Sequence, residues 1–105
     1  MHSTLRAKLS PEHLQGVAPS TVSVLGVLFS QPYTTPAFDD LRVMPDGSVF
    51  LLESGNELTQ VFIGPLSHVQ AELLQASAAA GLTTRELKQL EDLFAVRTAG
   101  NRLYH

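Results

Sequence analysis

The chain has 105 residues, a length that suits one domain, 1–105, and it carries a formal net charge of −3 with no cysteine. Disulfides, thiolate nucleophiles and cysteine-ligated zinc are therefore excluded. The acidic balance counsels against a nucleic-acid partner, because a duplex-binding domain presents a basic patch.

The basic residues are Arg6, Lys8, Arg42, Arg85, Lys88, Arg97 and Arg102. None falls between Arg42 and Arg85, where Asp46, Glu53, Glu57 and Glu72 sit. The longest apolar run, VSVLGVLF at residues 22–29, is too short to span a bilayer as a helix. Glu12, the prolines and the missing small-residue cleavage pattern argue against a signal peptide. The expectation is a cytoplasmic protein without a membrane partner.

Residues 1–9 are polar and expected to be loose. Ser10 then suits an N-cap, Pro11 a first helical position and Glu12 the positive helix end, with Gly16 as a stop. Leu9 and Leu14 have the spacing of a hydrophobic staple. These signals predict a short N-terminal helix.

Residues 20–29 are rich in β-branched side chains and apolar throughout their second half, which predicts a strand buried on both faces. A loop with two prolines follows, at 30–40. Strands are predicted at 41–44, 49–53 and 58–64. They are joined by turns at 45–48 (PDGS) and 54–57 (SGNE). The sheet is thus expected to be a four-stranded, mainly antiparallel meander.

After Pro65 the pattern turns helical. Ser67 and Gln70 have capping-box spacing, and Leu66, Val69, Leu73, Ala76, Ser77 and Ala80 line one face. Gly81 suits the residue after a helix end. Thr83 and Glu86 repeat the capping box, Leu82 and Leu87 staple it, and Leu87, Leu90 and Phe94 form the next apolar stripe. The prediction is an αα-corner, completing an α+β fold.

Two stretches resemble known families. Residues 40–62, DLRVMPDGSVFLLESGNELTQVF, resemble one blade of an NHL-type β-propeller. A propeller closes only with several blades, and the chain holds no second copy, so the resemblance supports the hairpins alone. Residues 73–94 resemble a helix-turn-helix motif. Ser77 and Gly81 stand at the places of its small residue and turn glycine, and Leu87 and Leu90 at later core positions. That resemblance implies a DNA-binding regulator in which Thr83, Thr84, Arg85 and Lys88 face a major groove. Glu86, Glu91 and Asp92 outnumber the two cations of the same stretch and oppose phosphate contact. Helix-end physics alone explains the capping, the staple and the glycine, so a structural corner is preferred to a DNA reader.

Catalytic signatures are sparse. His2, His13, His68 and His105 have no second histidine at metal-ligand spacing, so no metal site and no cofactor is expected. Asp39-Asp40 is an adjacent carboxylate pair and reads as a solvated loop end. A small-ligand or enzymatic domain using His68 or Asp39-Asp40 ranks third.

Side-chain alternation puts Val49 and Leu51 on one sheet face and Phe50 and Leu52 on the other. Both faces are then apolar, and two helices cover only one. The predicted function is a small non-catalytic protein-interaction or regulatory module. It acts as a homodimer and binds another protein, through an interface of Val27, Phe29, Phe50 and Leu52.

Overall fold

The apolar run at 20–29 is a helix, not a strand. A computed structural model describes residues 3–31, 33–34, 37–53 and 59–100. It comprises helices α1 (Ser3–Lys8), α2 (Pro19–Leu28), α3 (Leu66–Ala79) and α4 (Thr84–Gly100), and strands β1 (Phe38–Val43), β2 (Ser48–Glu53) and β3 (Gln60–Pro65). The fold is α+β with an antiparallel sheet of three strands, in the order β1-β2-β3, rather than four.

The physical reason for the correction lies in α2. A continuous apolar run has no period, so periodicity cannot separate a buried strand from a buried helix. Pro19 opens the first turn, where its missing N–H costs nothing. Residues Ser23 to Leu28 are all buried, so α2 is apolar almost all round. A β-branched residue in a helix loses less than about 0.7 kcal/mol. Burying its side chain returns roughly 1.5–3 kcal/mol, and packing decides the outcome.

Helix α2 ends by doubling back. Gln31 N–H donates to the Gly26 carbonyl at 2.8 Å, and Ser30 N–H to that of Val27 at 3.1 Å. Ser30 takes the left-handed conformation, φ 55°, in a Schellman arrangement. Gly26 permits it: a Cβ there would stand 2.7 Å from the Gln31 carbonyl oxygen.

Residues 3–8 are helical rather than loose, and Leu5 and Leu9 are fully buried. The expected helix after Ser10 shrinks to one 3-10 turn, Pro11–His13, without a side-chain cap from Ser10. Gly16 ends that segment with φ 84°.

The β1–β2 turn carries the predicted chemistry. Gly47 N–H donates to the Met44 carbonyl at 2.9 Å, Pro45 sits second, and Gly47 is left-handed. Asp46 Oδ1 accepts the Ser48 N–H at 2.9 Å, which lowers the Asp46 carboxyl from its ordinary value. The predicted turn at 54–57 and Leu58 lie outside the described residues.

Leu41, Val43, Val49 and Leu51 form the inner sheet face and are fully buried against the helices with Val24, Leu25 and Leu73. The predicted alternation therefore holds on β2.

The capping box expected at Ser67 and Gln70 does not form. Strand β3 runs straight into α3, with Pro65 at the N-cap and no side-chain cap. Leu66 N–H instead reaches the Gly47 carbonyl at 2.8 Å, so the helix starts before Ser67. The second box does form. Thr83 N–H donates to Glu86 Oε1 at 2.9 Å, and Glu86 N–H to Thr83 Oγ1 at 3.2 Å. Before it, Gly81 is left-handed and Leu82 N–H donates to the Ser77 carbonyl at 3.2 Å.

Candidate interaction surface

Register places the outer-face side chains. Across the sheet, Arg42 pairs with Phe50 and Phe50 with Phe62, while Asp40 pairs with Leu52 and Leu52 with Gln60. The Phe50 and Phe62 rings lie 5.5 Å apart at 55°. Such tilted pairs attract through their quadrupoles. Phe62 is 57% exposed, Phe50 and Leu52 half-buried. Arg42 Nη1 donates to Gln60 Oε1 at 3.3 Å, so its side chain crosses β2 from one edge strand to the other. It shields Phe50 and Leu52 in part and leaves Phe62 open.

The predicted interface set splits. Phe50 and Leu52 share the outer face. Val27 and Phe29 do not join them: they lie at the end of α2 and are only 1% and 7% exposed. They were assigned outward as strand residues, and the helix turns them into the core. Phe62 lies beside Phe50 on the outer face and is absent from the predicted set. Its exposure depends on where the helices land, which alternation does not encode.

The four residues of the helix-turn-helix reading are exposed near the start of α4. Thr83 Oγ1 is engaged in the capping box. Lys88 Nζ meets Asp92 at 3.1 Å and Glu91 at 3.7 Å, and these acids raise its pKa. Lys8 Nζ sits 2.7 Å from Glu86 Oε1 and, with the Thr83 N–H, lowers that carboxyl. Acids of α4 thus occupy Lys88, one of the two cations that a phosphate would need, while Arg85 is exposed.

His68 Nε2 lies 3.1 Å from Glu72 Oε1 on the exposed start of α3, and His13 Nδ1 2.8 Å from Ser10 Oγ. His2 and His105 lie outside the described residues. Asp39 is exposed, and Asp40 is half-buried and paired with Arg97 at 3.3 Å. Among the described residues, no group of three or more His, Asp or Glu is placed to hold a metal ion.

Two shallow recesses flank α2. One, of about 270 Å³, lies between Gly16, Val17, Thr21, Glu72, Gln75 and Ala76. The other, of about 220 Å³, runs beside β3 between Pro19, Ser23, Thr34, Phe38, Val61 and Ile63 and is mostly apolar. Val61 on its rim is 42% exposed.

These features define an α+β domain whose helices cover one sheet face and whose other face ends in exposed aromatic surface at β3. Among known protein families, curated proteins and solved structures, none matches the chain. No helix among the described residues is long and apolar enough to cross a membrane.

Proposed function

We propose that the chain is a small non-catalytic protein-interaction or regulatory module of the cytoplasm, acting as a homodimer and binding another protein. The observation that carries this reading is Phe62, 57% exposed beside Phe50 on a sheet face that stands apart from the core cluster. Large apolar side chains in contact and open to water mark association surfaces. Phe50, Leu52 and Phe62 supply the anchors, and Arg42 and Gln60 supply a polar rim. The reading moves the interface from Val27 and Phe29 to Phe62.

Sedimentation over a rising concentration series tests it. The expected result is a mass that climbs toward twice that of the chain, and a Phe62→Glu variant that stays single-copy. A wild-type chain that remains single-copy throughout removes the self-association.

A further inference from the structure

The sheet has two edges, and they are treated differently. At β1, Arg97 of α4 binds Asp40, and α2 and α4 lie against the strand. Strand β3 is the other edge, and among the described residues it hydrogen-bonds within the sheet to β2 alone. The direction of its free groups follows from the ladder. Glu53 N–H donates to the Thr59 carbonyl at 3.2 Å. Alternation in an antiparallel pair then turns Val61 toward Leu51 and aims the N–H and C=O of Gln60 and Phe62 away from β2. The opposite side agrees: Met44 N–H reaches the Ser48 carbonyl at 2.8 Å, so the even-numbered residues of β2 face β1 and the odd-numbered ones face β3.

Edge strands ordinarily carry charge to prevent pairing. Strand β3, QVFIGP, carries none. A register shift beside Ile63 and the proline at position 65 close the edge beyond Phe62. What remains open is Gln60, Val61 and Phe62, all exposed.

We infer that a second copy of this chain pairs with β3 along this short edge, antiparallel, with the twofold axis at Val61. The inference rests on the self-association reading above and gives it a geometry. Two edge residues, each with an outward donor and acceptor and separated by one residue, pair all of their outward groups with each other only in this register. Gln60 of each copy exchanges both main-chain bonds with Phe62 of the other, four in all. Val61 meets its own twin on the inner face, beside the apolar recess of Pro19, Phe38 and Ile63. The lack of charge on β3 means that the copies do not repel where they touch.

The area sets the strength. Three paired residues span about 10 Å, too short an edge to bury the roughly 800 Å² per partner of a stable interface, so the dimer is weak and reversible. The joined sheet has six strands. Its Phe50–Phe62 pairs lie on one side, where the Phe62 ring of each copy sits across from the Gln60 side chain of the other and is partly covered by it.

The test uses the whole chain at concentrations from about 10 μM to on the order of 1 mM, the range of a weak complex. Amide exchange is followed residue by residue alongside sedimentation. The expected result is protection of the Gln60 and Phe62 amides that grows with concentration. A Gln60→Pro variant removes one outward N–H per copy without touching the β2 ladder, and weakens association about tenfold or more. A wild-type chain that dimerises while those two amides stay unprotected overturns the edge geometry and leaves self-association standing. A wild-type chain that stays single-copy at the highest concentration overturns both. If Gln60→Pro fails to fold, as its circular dichroism would reveal, the amide exchange of the wild type still decides.

Discussion

Arg97 and Asp40 stand 57 residues apart in sequence and 3.3 Å apart in the fold. Arg97 also donates, through Nη2, to the Val27 carbonyl at 3.1 Å. One guanidinium thus joins the C-terminal half of α4, the last turn of α2 and the edge strand β1. The planar fork suits this double duty, and a cation at the end of α2 complements the helix dipole. Asp40 is held in place in turn, its Oδ1 accepting the Leu41 N–H at 2.9 Å.

Replacing Arg97 by Met keeps the aliphatic stem and removes both bonds. The ion pair is partly solvated, with side-chain exposures of 30% and 39%, and the Val27 carbonyl keeps the Ser30 N–H, so the loss is that of two hydrogen bonds with no group left orphaned. The expected cost is about 1–2 kcal/mol, read as a lower urea midpoint with an unchanged slope. Asp40→Asn costs less, because its amide oxygen still accepts the Leu41 N–H. Equal midpoints for Arg97→Met and wild type would show that the clasp holds nothing.

Gly26 sets two effects against each other. Alanine in a helix is favoured over glycine by about 1 kcal/mol. Here the added Cβ would meet the Gln31 carbonyl at 2.7 Å and the Tyr33 nitrogen at 3.2 Å. Both are backbone atoms of the reversing chain and cannot swing aside. Overpacking of this kind costs roughly 1–3 kcal/mol, so Gly26→Ala destabilises on balance. A thermal midpoint above that of wild type would show that the turn after α2 yields easily.

How much of this was legible in the sequence follows from the range of the forces involved. The β1–β2 turn and the Thr83–Glu86 capping box are local hydrogen-bond chemistry, and they stand where the residues indicate. The inner and outer faces of β2 follow from its alternation. Helix α2 was not legible, because an unbroken apolar run has no period to read, although Pro19 at its start was a usable sign. Leu5 and Leu9, spaced for one helical face, hinted at α1 and were outweighed by their polar neighbours. The Arg97–Asp40 clasp is a long-range pairing with no local mark. At the candidate surface, Phe50 and Leu52 were legible as one face. Val27 and Phe29 were misplaced because their assignment depended on the strand that proved to be a helix.

Glu86 gives the fold a pH dependence. Its carboxyl is pulled below the ordinary value of 4.5, first by the Lys8 ammonium and then by the Thr83 N–H. A group whose folded value is depressed binds fewer protons in the folded than in the unfolded chain. Its contribution is therefore complete at neutral pH. It declines as pH falls below 4.5 and is gone once pH drops beneath the lowered folded value. Glu86→Gln keeps an acceptor for the Thr83 N–H and loses the charge facing Lys8. The wild type should exceed this variant in stability at neutral pH, and the two curves should converge in acid. Urea midpoints taken from neutral pH downward measure the convergence, and parallel curves would deny Glu86 the role.

Phe62 and Phe94 put the surface and the core on one scale. Phe94 is 2% exposed and its ring fills the core, so Phe94→Ala costs roughly 3–5 kcal/mol. Phe62 is 57% exposed, and what it holds in the single chain is its contact with Phe50. That contact is worth about 0.5–1.5 kcal/mol in a double-mutant cycle over Phe50→Ala and Phe62→Ala at low chain concentration. Removing Phe62 alone therefore costs the dilute protein much less than removing Phe94. At high concentration the comparison changes. Any association that buries Phe62 stabilises the folded wild-type chain by mass action and does less for the variant that lacks the ring, which keeps only the main-chain pairing. The gap between wild type and Phe62→Ala should widen with concentration, while the gap between Phe62→Ala and the Phe62→Ala, Phe94→Ala double variant stays constant. A gap at Phe62 that ignores concentration would mean that the exposed ring serves the fold of one chain and meets no second copy.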